Sequence, residues 1–358
     1  MGEQDRQVAE LRSDVSAIAP NPSKRTTVVF VLLDRFSLLP FTSAVECLRL
    51  ANRKAGEPLY DWRLCSLKGE TVRASSGLDM VVHTSLEEEQ RRLLMDQKPD
   101  HLIVCSGEAV ETLSTGSLRT VLKQAVQRKV NIGGLCTAAW VLAEAGLLDG
   151  KRCAIHWENL ASFQERFTEA HVYADLFEID GLMHTCAGGT AALDMMLWIV
   201  GNDHGETIVS AICQQCLTDR VRSAQDRQRL PLRARIGVQN AKLLSIIELM
   251  ESHVADPIAM DRIARAAGLS RRQIERLFLQ SLGRSPARYY LEVRLDRAQQ
   301  LLVQTGMPII EVAVACGFVS ASHFSRCYRE LYGRSPQTER QLRRDQASDM
   351  AAPSASVA

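Results

Sequence analysis

Cys136 occupies a place where a thiol is readily made reactive. The run from Asn131 to Trp140, NIGGLCTAAW, reads as a strand ending in glycines, a cysteine in the turn and a helix behind it. A side chain at such a strand-to-helix turn is held out of the backbone, and a helix N-terminus favours the thiolate. Thr137 follows it, and the run His156-Trp157-Glu158 closes a later apolar segment, offering an imidazole, an indole face and a carboxylate. His156 there is as well suited to buried structure as to a pocket wall. A second set of side chains suits different chemistry. Arg271, Arg272, Glu275 and Arg276, then Ser322, His323 and Arg326, fall on the polar positions of two short helical segments. These residue types hydrogen-bond base edges and phosphates, with the Glu275 carboxylate suited to a cytosine amino group or simply to tuning charge.

The elements that must position the second set are repeated. Asp261 to Pro286 reads DRIARAAGLSRRQIERLFLQSLGRSP, and Glu311 to Pro336 reads EVAVACGFVSASHFSRCYRELYGRSP. Each has a short helix with small residues, a glycine (Gly268, Gly317), a serine suited to cap a second helix (Ser270, Ser320), and the same closing Gly-Arg-Ser-Pro. The glycines are 49 apart and the closing tetrapeptides 50 apart, so one residue is inserted in the second turn. Ile274, Leu277 and Phe278 are answered by Phe324, Cys327 and Tyr328, which predicts the buried face of each second helix. This is helix-turn-helix patterning, stated twice. Between the copies, Pro286 to Gln304 predicts a long linking helix ended by Thr305-Gly306.

The body before this repeat alternates strand and helix. Strands are predicted at Thr27 to Leu33, Trp62 to Leu67, His101 to Cys105 and Val130 to Gly133, with helices at Ser43 to Arg53, Leu118 to Gln127 and Ala138 to Ala145. Such alternation predicts an α/β fold, a largely parallel sheet covered by helices on both faces, with ligands at the carboxyl ends of its strands. The formal charge is +1 overall, but residues 240–345 hold sixteen Lys and Arg against eleven Asp and Glu, a surplus of +5 over an acidic remainder. That asymmetry fits a DNA-reading module joined to a part that does not touch DNA.

Residues 1–24 predict a disordered arm without the apolar core of an export signal, and 346–358 a disordered tail. No run is long and apolar enough to cross a bilayer, and the ten cysteines lack an extracellular spacing, which predicts reduced thiols in the cytoplasm. Cys213-Gln-Gln-Cys216 lacks a second ligand pair and reads as structural; no metal or cofactor is expected. Gly188-Gly189-Thr190 suits either an anion or a plain helix start. Arg220 to Arg235 holds six arginines and one acid, with Pro231 predicted to end the body's last helix; its charge suits DNA phosphates or simple solvation.

From about Asn240 to Arg344 the chain resembles the DNA-binding domain of the AraC/XylS transcription regulators. The match rests on Gly317-Phe318, Phe324-Ser-Arg326-Cys-Tyr328 and Gly333-Arg-Ser-Pro336. The elbow, with Gly146-Leu-Leu-Asp-Gly150 and Cys153-Ala-Ile-His156-Trp157, makes most of residues 27–215 similar to the DJ-1/PfpI or class I glutamine amidotransferase-like domain, which implies a flavodoxin-like sheet. Joined in this order, the halves resemble the GlxA-like regulators. His156-Trp157-Glu158-Asn159, Leu176-Phe-Glu-Ile-Asp180, Cys186-Ala-Gly-Gly189-Thr and Asp194-Met-Met look most like regulators of glycine betaine, carnitine and arginine catabolism.

The helpers those enzyme families use are missing. Position 137 is Thr where a histidine often follows the cysteine, the loop Asp34 to Pro40 has no glutamate, and neither His184 nor His204 has a partner at the amidotransferase spacing, though His204-Gly-Glu206 comes near. The resemblance thus implies no catalysis but an effector pocket built from Cys136, Thr137, His156, Trp157 and Glu158. The expected organisation is a sensing domain over 25–218, a linker over 219–238 and a double helix-turn-helix domain over 239–345. The expected partners are operator DNA, a small-molecule effector, RNA polymerase and a second copy of the chain. The expected role is that of an effector-dependent activator of a catabolic operon. The alternatives are an active cysteine amidohydrolase tethered to DNA and a thiol-based redox-sensing regulator.

Overall fold

The computed structural model describes residues 25–218, 220–226, 228 and 240–342. The predicted arm and tail lie outside the described residues, as does Pro231.

β1 (Thr26–Leu32) alternates strictly, with Val28, Phe30 and Leu32 in one apolar cluster and Val29 and Val31 in another, so both faces of the sheet are covered. A strand buried on both sides is apolar throughout, the signature of a parallel sheet between helical layers. The other strands are β2 (Tyr60–Ser66), β3 (Val72–Arg73), β4 (Asp79–Met80), β5 (Thr84–Ser85), β6 (His101–Cys105), β7 (Asn131–Leu135), β8 (Arg152–Ala154), β9 (His171–Tyr173), β10 (Phe177–Asp180) and β11 (Met183–Cys186). Seven of them form one sheet in the order β10-β11-β7-β6-β1-β2-β5. All its neighbours pair parallel except β10 with β11. The α/β expectation holds, and the sheet is the parallel-dominant mixed sheet of the flavodoxin-like class.

Helices α1 (Leu38–Ala55), α6 (Ala191–His204) and α7 (Glu206–Cys216) cover one face. Helices α2 (Leu86–Leu94), α3 (Gly116–Gln127), α4 (Ala139–Glu144) and α5 (Leu160–Arg166) cover the other. Burying a side chain such as Phe30 or Leu142 stabilises the fold by about 1.5–3 kcal/mol each. Helix α1 begins five residues before the predicted Ser43, because Pro40 falls in the first turn, where no intrahelical N–H bond is lost. That shift leaves Ser37 at the helix entrance, facing the elbow.

The segment predicted as a free linker is docked where it is described. Arg222 Nη2 donates to Asp194 Oδ2 at 2.6 Å, and its backbone N–H to Oδ1 at 3.0 Å. Leu176 N–H donates to the carbonyls of Ala224 and Asp226, and Gln228 Nε2 to those of Ile155 and Asp175. The body's last described helix ends at Cys216 with Leu217 left-handed (φ 54). Arg222 is therefore neither a solvated charge nor a free phosphate contact. Its guanidinium also donates to the Thr190 hydroxyl at 2.6 Å, so the start of α6 is occupied by the chain's own side chains.

The C-terminal part is all helix: α8 (Ala241–Glu251), α9 (Met260–Ala267), α10 (Arg271–Leu282), α11 (Pro286–Gln304), α12 (Ile309–Ala315) and α13 (Ala321–Tyr332), with 336–342 helical beyond them. The linking helix α11 has the predicted ends, with Ser285 capping Arg288 N–H and Pro286 in the first turn. It serves two cores. Tyr289 and Tyr290 pack with Ile263, Ile274 and Phe278, while Leu295, Ala298, Leu301 and Leu302 pack with Val312, Phe318, Phe324 and Tyr328. Among the described residues no helix is long and apolar enough to cross a membrane.

Candidate effector pocket and nucleic-acid interface

Strand β7 can run straight through the sheet centre because its glycines admit the neighbours; a Cβ at Gly133 would stand 2.7 Å from Ile103 Cγ1. The strand ends at Leu135 and Cys136 takes φ +63, a left-handed conformation that a non-glycine residue holds only under constraint from its surroundings. The elbow read from the sequence is therefore present, at the carboxyl end of the strands. Gly188, at the start of α6, closes over it: a Cβ there would lie 2.8 Å from Cys136 Cβ and 2.9 Å from its sulfur.

The thiol is buried, 7% exposed. Its sulfur meets the Ser37 hydroxyl at 3.5 Å. Burial pushes its pKa up; the Ser37 hydroxyl and the Thr137 N–H oppose this, and the Glu158 carboxylate adds to it. A thiol so placed stays protonated at neutral pH, the reverse of what a nucleophile needs. Thr137 is buried beside the elbow. Its hydroxyl donates to the Gly107 carbonyl at 2.8 Å and shares a 2.7 Å bond with the Ser106 hydroxyl, tying the elbow to the end of β6. The Thr137 hydroxyl thus braces the elbow.

The His156 run does come to the elbow. The His156 N–H donates to the Cys136 carbonyl at 3.2 Å. The ring accepts from the Glu158 N–H at 3.4 Å, lies 3.7 Å from the Glu158 carboxylate, and leans on Trp157 with ring centres 5.7 Å apart. Burial pulls the imidazole below its ordinary value, opposed by Glu158. The other histidines weighed for catalysis are elsewhere. His184 packs on His101 and Trp198, and His204 on Tyr60. Ser37, Ser106 and Gly107 stand around the elbow and were not read from the sequence. Only the Gly188-Gly189 pair before a helix signalled anything there.

Each reading helix is framed as predicted. Gly268 and Gly317 are left-handed (φ 61 and 72), Ser270 accepts from Gln273 N–H in a full capping box, and Ser320 accepts from His323 N–H. Ile274, Phe278, Phe324, Cys327 and Tyr328 are buried, and Arg271, Arg272, Glu275, Arg276, Ser322, His323 and Arg326 are exposed. Two of these are engaged within the chain. Arg271 forms a two-pronged ion pair with Asp261 of α9, bracing the turn. The His323 ring takes the Cys327 thiol at 3.3 Å and stands edge-on to Phe318. Ser322 and Arg326 share a concave stretch of α13 with Ser325, Arg329 and Glu330. Arg329 lies one turn beyond Arg326, on the same face of α13.

Residues 26–202 match the DJ-1/PfpI family and residues 263–342 a helix-turn-helix domain. The chain is 44% identical over 326 residues to the HTH-type transcriptional regulator GbdR of Pseudomonas aeruginosa, covering 90% of this chain and 86% of that one. The chain belongs to the AraC-type transcription regulators that carry a DJ-1/PfpI domain. CdhR of Pseudomonas aeruginosa is 41% identical over 87% of this chain and 90% of its own length. GlxA of Rhizobium meliloti is 35% identical over 86% and 93%. All three are HTH-type transcriptional regulators, so this AraC-type chain is a DNA-binding regulator and not an enzyme, despite its elbow. Among its described residues no group of three or more His, Cys, Asp or Glu is placed to hold a metal.

Proposed function

We propose that this regulator is an effector-dependent activator of a catabolic operon, and that its effector is a small zwitterion bound at the elbow. The carrying observation is an elbow kept in full geometry around a thiol that burial holds protonated. The fold then offers a recessed site and not a nucleophile. Trp157 supplies an indole face for a quaternary ammonium and Glu158 a carboxylate beside it. A ligand that prefers one arrangement of the body shifts the population competent to bind DNA or recruit RNA polymerase. The reading includes cytoplasmic action as a homodimer.

The contacts in the DNA module sort by chemistry. Arg272, Arg276, Ser322, His323 and Arg326, with Glu275 beside them, face the duplex. Two reading helices on one linking helix then enter successive major grooves about 10 base pairs apart. Arg271 helps mainly by holding its helix.

The experiment is a reporter assay of Cys136→Ser and Cys136→Trp, run beside calorimetry of each chain with glycine betaine, carnitine and arginine. Cys136→Ser is nearly isosteric and keeps the response, whereas Cys136→Trp fills the site and loses it while still binding DNA. A Cys136→Ser chain that folds and binds ligand yet is as silent as Cys136→Trp would replace this reading with thiol chemistry.

A further inference from the structure

Helix α5 begins directly after the run His156 to Asn159 that lines the elbow, and it packs on more than its own domain. Its Ser162 hydroxyl donates to Gln304 Oε1 at 2.6 Å, and its Glu165 carboxylate pairs with Arg297 Nη2 at 3.4 Å. Both partners lie on the linking helix α11. Arg297 and Gln304 are two turns apart and so share one stripe of it, as Ser162 and Glu165 share one face of α5. Two fastenings on one stripe constrain the roll of α11 as well as its position; a single one would act as a pivot.

The contact is part-buried, with Arg297 27% and Glu165 35% exposed. Ser162 is fully buried, and Arg297 Nε is buried without a hydrogen-bond partner. Beside it runs a cleft with Glu158 on one wall and Gln299, Gln300, Val303 and Arg334 on the other, so the carboxylate next to His156 looks directly onto the DNA module. The turn of the second reading unit lies close to the same point. Arg294 of α11 donates to the carbonyls of Cys316 and Gly317 at 2.9 and 2.8 Å. Burial pushes the Cys316 thiol up to about 12, with Arg297 opposing and Glu165 adding, which puts the interdomain ion pair within electrostatic reach of that turn.

We propose that α5 is the coupling surface of this regulator. It ties the elbow run to one stripe of α11, so that a displacement of residues 156–159 resets the linking helix and the second reading unit with it. Coupling is reciprocal, so DNA bound to α13 must be felt at the elbow. That a small molecule drives this displacement rests on the effector reading above; the mechanical link does not.

The test uses the full chain and a duplex that it selects from a random library. Amide hydrogen exchange is followed over residues 156–166, with and without the duplex. In the wild type the duplex alters exchange there by at least about fivefold, the lower end of ordinary coupling. Glu165→Arg alone and Arg297→Glu alone reduce that effect to less than about twofold, and the doubly reversed chain restores it, because the ion pair is rebuilt with its charges exchanged. Gln304→Ala removes the second fastening without changing charge and weakens the effect in the same direction. Unchanged exchange over 156–166 in the wild type on adding the duplex overturns the proposal, and so does a full effect in both single reversals. Calorimetry with glycine betaine is scored separately: a chain that passes the exchange test and binds no betaine, carnitine or arginine overturns the effector reading alone.

Discussion

The two reading units share a plan and are supported differently. In the first, the turn glycine Gly268 stands in open space, the reading helix is closed by its own capping box, and Arg271 is tied to Asp261 ten residues back. In the second, Gly317 is wedged against the Pro257 ring and the Val254 carbonyl, in the loop between α8 and α9. Arg294 clamps its turn carbonyls and lies over the Phe318 ring at 4.1 Å. The turn of the first unit is held by neighbours in sequence and that of the second by tertiary contacts, including those that run through α11 to the body. A unit held locally keeps its shape whatever the body does; a unit held at a distance can be regulated.

The turn glycines test this difference most strongly. Gly317→Ala meets both a left-handed backbone and a filled site, and should cost about 3 kcal/mol in thermal or urea unfolding. Gly268→Ala meets the backbone strain alone and should cost about 1 kcal/mol. Equal losses at the two sites would remove the contrast between local and tertiary support.

Next comes Arg294→Ala, which loses two hydrogen bonds from a charged donor and its stacking on Phe318. Burial of the guanidinium pulls its pKa down, so part of the gain is offset by desolvation. A net loss of about 2 kcal/mol is expected, read as earlier melting of the second unit. A chain that melts as the wild type does would show that the turn stands without its clamp.

The smaller effects fall on operator affinity. Arg326→Ala should weaken binding by about 1–3 kcal/mol if that side chain reads a base, and relax specificity at one position. Arg271→Ala should weaken operator binding less than Arg326→Ala does, since its guanidinium is engaged with Asp261. A larger loss for Arg271→Ala than for Arg326→Ala in titrations at one salt concentration would reverse the two assignments.

The features that the sequence by itself determined are those governed by residues close together along the chain. The continuous apolar run in Thr26–Leu32 requires a strand buried on both faces, because successive side chains point to opposite sides. Glycine, capping serine and closing Gly-Arg-Ser-Pro located both reading units and the ends of α11, because left-handed turns and helix starts select those residues locally. The elbow at Cys136 was legible for the same reason. Its use was not. Whether the thiol ionises depends on its burial, on Ser37, ninety-nine residues away, and on Gly188 closing over it. The diversion of Thr137 into a brace depends on Ser106 and Gly107 arriving from the next strand. The docking of Arg222 answers a buried carboxylate at Asp194, and the tie between Ser162 and Gln304 spans 142 residues. Sequence spacing carries no record of such meetings, because a partner at that separation is chosen by where the sheet and the linking helix bring the two side chains, which only the tertiary structure decides.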